Sequence, residues 1–313
     1  MLHAPSVQQS PRGLKLKDKS ADRAVVGTVT VSASYFREKA LRSLSKLPPF
    51  SPILHKLLAT LADEDVSFAR LAELIEKDTV LAGNVLRLVN SALYGRRGTV
   101  SSVRHAVSLM GVVKLRNAAM SFSVSNMWNH AKTPPGWSAK RFNLHATATA
   151  IMSDLLAQKV PVTYPEGAFA GGLLHDIGLL LIAIGLPEQY KDIEMRYLKD
   201  GLPLAECETL VIGLDHGDLS AAVLAEWNLP EPIQQAVRAL HKPPRSRGPE
   251  WPLSTILDVA ERVIDLKGIT VLQGGKPPDD SVESLFAAIG LKLTADAMFE
   301  EFNAEFEPIK AFF

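Results

Sequence analysis

The chain has 313 residues, 47% of them hydrophobic, which is enough to bury a substantial core, and its 34 Lys and Arg are balanced by 34 Asp and Glu. That balance removes any whole-protein field able to draw the molecule to nucleic acid or to an anionic membrane surface. Cys207 is the only cysteine, which excludes an internal disulfide framework and multi-cysteine zinc or iron–sulfur sites, suits a reducing compartment, and makes cytoplasmic residence the expectation.

Residues 1–30 mix Pro5, Pro11 and Gly13 with charges of both signs and read as a flexible tail, with a short extended piece at Ala24 to Val31. This start lacks the basic, apolar and small-residue order of a secretory signal. Pro48, Pro49 and Pro52 open a helix through Ile53, Leu54, Leu57, Leu58 and Leu61, and Ser67 is placed to cap the next, which holds Leu71, Leu74 and Ile75. Asp78 precedes Val80, Leu81, Val85, Leu86 and Val89, spaced to form one apolar face of a helix ending near Gly95. Further helices are predicted from Val103 to Met110 and from Val112 to about Trp128.

The strongest interior break is the run Lys132, Thr133, Pro134, Pro135, Gly136. It divides the reading into an N-terminal helical lobe over 31–132, a second helical lobe over 137–266, and a loop and helical extension over 267–313. The second lobe is predicted to hold helices near Ala139 to Lys159, Pro165 to Ile184, Pro187 to Leu198, Pro203 to Ile212, Leu219 to Trp227, Pro230 to Leu240 and Leu253 to Leu266. No run of alternating strand segments occurs, so the fold class is all-α. No segment is expected to cross a membrane, since the longest apolar run, Ile177 to Leu186, is short and contains Gly178 and Gly185.

Chemically, the most informative words are His175 and Asp176, set between Gly171, Gly172 and Gly178. Imidazole nitrogen and carboxylate oxygen both suit divalent zinc, iron or manganese. Adjacent side chains on a straight helix diverge by about 100°, so a shared ion requires a helix end or bend, which Gly178 is expected to mark. His145 shares an apolar stripe with Ala148, Met152 and Leu155 and should point inward. His216 follows Asp215 before a predicted helix, His241 closes another, and Glu261 lies within the helix that begins near Leu253. Each of these alone reads more readily as an ordinary cap or core residue than as a metal ligand.

Their order resembles the HD superfamily, in which a histidine, a His-Asp pair and a later acidic residue hold metal. The surrounding words resemble the HDOD family more narrowly: Leu47, Pro48, Pro49 at the opening, then Ile75, Glu76, Lys77, Asp78 with Leu81, where Thr79 replaces a proline. Leu86, Leu88, Asn90, Ser91 and Tyr94 follow, then Val103, Ala106, Val107, Leu109 and Gly111. The resemblance spans Leu47 to Leu266. It implies a two-lobed helical fold whose second lobe is like the HD phosphohydrolase core, and a bacterial regulatory protein that binds signalling proteins or a small ligand without demonstrated hydrolysis.

It also implies His145, His175, Asp176, His216, His241 and Glu261 as candidate ligands for a divalent metal, with Asp78, Asn90, Ser91 and Tyr94 as structural motif residues. The alternative is a metal-dependent phosphohydrolase acting on a nucleotide or cyclic dinucleotide. Against it, relatives that cleave cyclic di-GMP carry a glutamate where this chain has Arg141, a histidine where it has Leu240, and a Gly-Tyr-Pro loop where it has Lys242, Pro243, Pro244. A cationic Arg141 beside the site is expected to repel a metal. Neither a helix-turn-helix signature nor a basic stripe supports nucleic-acid binding.

Overall fold

The computed structural model describes residues 33–46, 51–62, 67–91, 99–128, 131–242 and 248–313. The tail, the Ala24 to Val31 piece, Leu47 to Pro49, Tyr94 to Arg97 and loop residues 243–247 lie outside the described residues. Those described are all-helical, with one isolated bridge between Val162 and Trp251.

Helix α1 covers residues 33–42. It is followed by α2 (Pro52–Ala59), α3 (Phe68–Glu76), α4 (Thr79–Val89), α5 (Val103–Met110) and α6 (Val112–Trp128). Capping explains several starts: Ser51 Oγ accepts from Ile53 N, Ser67 Oγ from Arg70 N, and Asp78 Oδ1 from Val80 N and Leu81 N, both at 3.0 Å. Helix α4 stops at Val89, short of the predicted Gly95, because Asn90 turns its side chain back. Asn90 Nδ2 donates to Leu86 O and Val100 O at 2.8 Å, and Oδ1 accepts from Val100 N at 2.7 Å. The amide thus joins the end of α4 to the extended residues before α5, as a strand partner would.

The remaining helices are α7 (Ala139–Lys159), α8 (Ala168–Leu174), α9 (Ile177–Gly185), α10 (Pro187–Asp200), α11 (Leu204–Ile212), α12 (His216–Glu226), α13 (Glu231–Arg238), α14 (Leu253–Leu266), α15 (Val282–Ala288) and α16 (Ala295–Lys310). Helix α7 is the axle, packed by α6, α8, α14 and α16. Apolar side chains from α2 to α16 form one contiguous core, each large one contributing about 1.5–3 kcal/mol on burial. Across the Lys132 to Gly136 connection, Trp128 Nε1 donates to Asn143 Oδ1 at 2.7 Å and its ring meets the edge of Phe142.

One helix expectation is corrected. Pro165 to Ile184 is not one helix but a 3-10 turn, α8 and α9, broken at His175 and Asp176. The same stretch, Pro165–Gly185, is long and apolar enough to cross a membrane by length and composition, though nearly all of it is buried among the other helices. Its apolarity is that of a core segment surrounded on every side.

Candidate functional site

The break between α8 and α9 is built by contact with α12. Ser220 Oγ accepts from Gly178 N at 2.8 Å and donates to the carbonyl of His175, so one hydroxyl takes over the backbone groups that a continuous helix would pair. Gly178 does not mark the bend itself. A Cβ there would lie 2.1 Å from His216 O, so glycine is what lets the backbones of α9 and α12 touch. That approach brings Asp176 to His216.

Around Asp176 the candidates converge. His145 Nε2 and His175 Nε2 lie 3.4 and 3.3 Å from Asp176 Oδ2, while His216 Nε2 lies 3.2 Å from Oδ1. His241 Nε2 is 2.7 Å from His216 Nε2, and Glu261 Oε2 is 3.9 Å from His241 Nδ1. Ligand atoms of His145, His175 and Asp176 all fall within 4.8 Å of one another, as do those of His216, His241 and Glu261. The carboxylate of Asp176 joins the two sets.

Hydrogen bonds fix which nitrogens face the centre. His145 Nδ1 donates to Ile269 O and His175 Nδ1 donates to Gly172 O, each at 2.7 Å. A carbonyl only accepts, so both Nδ1 atoms carry the proton, and in the neutral ring both Nε2 atoms present a lone pair. These two Nε2 atoms are buried and have no hydrogen-bond partner among the described residues. Leaving a buried polar atom unpaired costs about 1–3 kcal/mol, which makes this pair, aimed at one carboxylate, a candidate ligand site.

Electrostatics sort the charges. Burial holds His175 down to about 4, so its ring is neutral at physiological pH. Burial also opposes charge on His216, but the carboxylates of Glu208, Asp176 and Glu261 override it and push this ring up to about 10. For Asp176, burial is overcome by the surrounding histidines, which hold it down to about 2. His241 is held well below its usual range by burial and by the charge on His216. At 2.7 Å the contact between His216 Nε2 and His241 Nε2 holds one proton between the two rings, and that proton occupies a place between donor atoms that suits a cation. Burial, followed by the charges of Asp176 and Asp265, pushes Glu261 well above the carboxylate range.

A cleft of about 490 Å³ opens onto His145, Asp176, His216, His241 and Glu261. Its acidic wall is α14, where Asp258, Glu261 and Asp265 recur at helical spacing. Burial raises Asp265 to about 6, against the pull of His145, whose Nδ1 is 3.7 Å from Asp265 Oδ1. Asp265 was absent from the sequence candidates, though its position one helical turn beyond Glu261 was a usable signal. Glu208 was also missed. It is fully buried on α11, and its Oε2 accepts from both the backbone N and Nδ1 of His216 at 2.7 Å. Nothing in its local sequence distinguishes it from a surface glutamate.

Arg141 does not line the cleft as expected. Its Nε donates to Val271 O at 3.1 Å and Nη2 to Gly136 O at 3.4 Å, so the guanidinium ties together loops flanking α7. Leu240, at the place of a family histidine, is a fully buried core residue. Of the structural motif residues, Asp78 and Asn90 make the bonds already described, and Ser91 Oγ is buried without a partner among the described residues.

The HDOD domain family model matches residues 47–243, so the match stops before α14, whereas the motif resemblance was drawn to Leu266. The crystal structure of an HDOD domain protein of unknown function from Geobacter sulfurreducens aligns with a TM-score of 0.71 at 22% identity, covering 89% of this chain and 97% of that one. A protein from Shewanella amazonensis SB2B, provisionally named a phosphohydrolase, aligns at 0.65 and 24% identity, covering 87% and 97%. Another from Marinobacter aquaeolei VT8, provisionally named a signal transduction protein, aligns at 0.68 and 21% identity, covering 96% of this chain and 66% of its own. At such identities the likeness is one of fold. An uncharacterized Treponema pallidum protein is 23% identical over 279 residues, and the chain spans about half (51%) of that relative's length.

Proposed function

From membership of the HDOD domain family, to which this chain belongs, we propose that it is a regulatory signal-transduction protein that works by binding, and that its second half holds a divalent cation. The ligands assigned are His145, His175 and Asp176, with His216, His241 and Glu261 completing the same centre. The observation that carries this reading is the pair of buried, unpartnered Nε2 atoms of His145 and His175 flanking Asp176 Oδ2. A donor set of imidazole and carboxylate fits manganese, iron or zinc. In this proposal the lobe over 31–132 is the platform for a signalling partner, and the lobe over 137–266 carries the centre.

Elemental analysis of protein purified without added metal tests the assignment. One equivalent or more of a divalent first-row metal is expected, falling to near zero in Asp176→Ala while circular dichroism is unchanged. A metal-free wild-type protein that also binds no added manganese would sink it.

A second reading, metal-dependent hydrolysis of a phosphate ester, is favoured by the cleft above the centre. A divalent ion bound there supplies Lewis acidity towards a phosphate oxygen. The cationic side chains of the cleft, however, are already engaged: Arg262 with Asp258 and Asp280, and Lys276 with Asp279. Binding without turnover is therefore the preferred reading, and incubation with cyclic di-GMP and manganese is expected to give no product. Sustained cleavage abolished by Asp176→Ala would reverse the preference.

A further inference from the structure

Resting on the cation assignment, we infer that Glu208 is the positioning residue of this centre: it holds the His216 ring so that Nε2, and not Nδ1, faces Asp176 and His241. Both hydrogen bonds of Glu208 go to that one residue, at 2.7 Å to its backbone N and 2.7 Å to Nδ1. Its other oxygen, Oε1, is buried with no hydrogen-bond partner among the described residues. The carboxylate is thus buried at the cost of leaving half of itself unpaired, and His216 alone makes use of it.

Asp215 Oδ1 accepts from Asp218 N at 3.0 Å and Glu208 accepts from His216 N, so both cap α12, but only the second bond of Glu208, to the ring Nδ1, lies beyond what capping calls for. The bond from Glu208 to the His216 backbone fixes where the ring begins, and the bond to Nδ1 fixes its rotation. Together they leave Nε2 at 3.2 Å from Asp176 Oδ1 and 2.7 Å from His241 Nε2. A carboxylate behind a ligating imidazole orients the ring and strengthens the opposite nitrogen as a donor, and losing such a partner weakens metal binding roughly 10- to 100-fold. The pairing joins α11 to α12 across the turn at Gly213, eight residues apart in sequence, so no local motif records it.

The test uses the full chain, stripped with chelator and titrated with manganese, as wild type, Glu208→Gln and Glu208→Ala, with nitrogen-resolved NMR of the histidine rings in the metal-free state. Expected are a strongly hydrogen-bonded Nδ1 proton on His216 in the wild type, its loss in Glu208→Ala, and manganese affinity roughly 10- to 100-fold lower in both variants. Should Glu208→Ala fail to fold, Glu208→Gln, which keeps an acceptor oxygen, carries the comparison through its affinity and ring signals. A variant with a lower melting temperature but wild-type manganese affinity and ring signals would overturn the inference, because Glu208 would then be serving the fold alone. If the wild type binds no manganese, the cation assignment fails; the ring signals still decide whether Glu208 fixes the orientation of the His216 ring.

Discussion

The end of α4 at Asn90 and the end of α8 at His175 both carry polar side chains, the first exposed and the second buried, and they are finished in opposite ways. At the end of α4, Asn90 uses both its amide nitrogen and its carbonyl oxygen, so the turn is closed by its own hydrogen bonds. At the end of α8, His175 satisfies one nitrogen on Gly172 O and leaves the other bare beside Asp176. The first is a complete structural joint. The second has a valence left over, and His145, arriving from α7, has the same one. The difference in satisfaction separates a joint closed by its own hydrogen bonds from one that leaves buried nitrogens unpaired among the described residues.

The sharpest way to break this comparison is at the helix crossing that makes the second joint. Replacing Gly178 with Ala would put a Cβ 2.1 Å from His216 O, a clash with backbone that no rotamer relieves. Overpacking of this kind costs about 1–3 kcal/mol or more, so a denaturant melt should show a markedly lower midpoint and metal retention should fall with it. Unchanged stability would mean that α9 and α12 do not approach as described.

Removing the closed joint should separate fold from site. Asn90→Ala deletes three hydrogen bonds and leaves Val100 N and O without their partner, a loss of about 1–3 kcal/mol. Its metal content should match that of the wild type when both are measured well below the melting temperature. A variant that melts normally but loses a partner protein would make Asn90 a recognition residue.

A smaller effect is expected at a third polar joint, between α6 and α7. Burial and then the charge of Glu305 push Asp154 up to about 6, against Arg116 and the donors Gln158 and Asn117. Because the folded value lies above the unfolded one, the neutral form favours folding; that contribution is complete below pH about 4 and is lost as pH rises through about 6. Asp154→Asn should therefore raise the melting temperature at pH 7.5, by an amount equivalent to about 1–2 kcal/mol, and change little at pH 4.5. An equal gain at both pH values would point to packing instead of charge.

The all-α class and nearly every helix were legible in the chain, because apolar spacing and caps such as Ser67 and Asp78 act within a few residues. Helices α5, α7 and α14 have the bounds that spacing predicts, and the inward aim of His145 follows from its stripe. The same local logic failed at Pro165 to Ile184, where continuous apolarity concealed a break that Ser220 imposes from 45 residues away.

Residue type, joined to the resemblance of their order to the HD superfamily, was enough to nominate the six candidate ligands, since imidazole and carboxylate chemistry is carried by each side chain. Their geometry was not. Glu208 behind His216, Asp265 beside His145, Ile269 O fixing a tautomer and Arg141 turned to Val271 O are contacts between separate elements. Sequence determined which groups were available and which helices carry them, because propensity and periodicity are short-ranged. Only the tertiary structure decided which nitrogen of each ring is free, because that depends on the one atom packed against the other side.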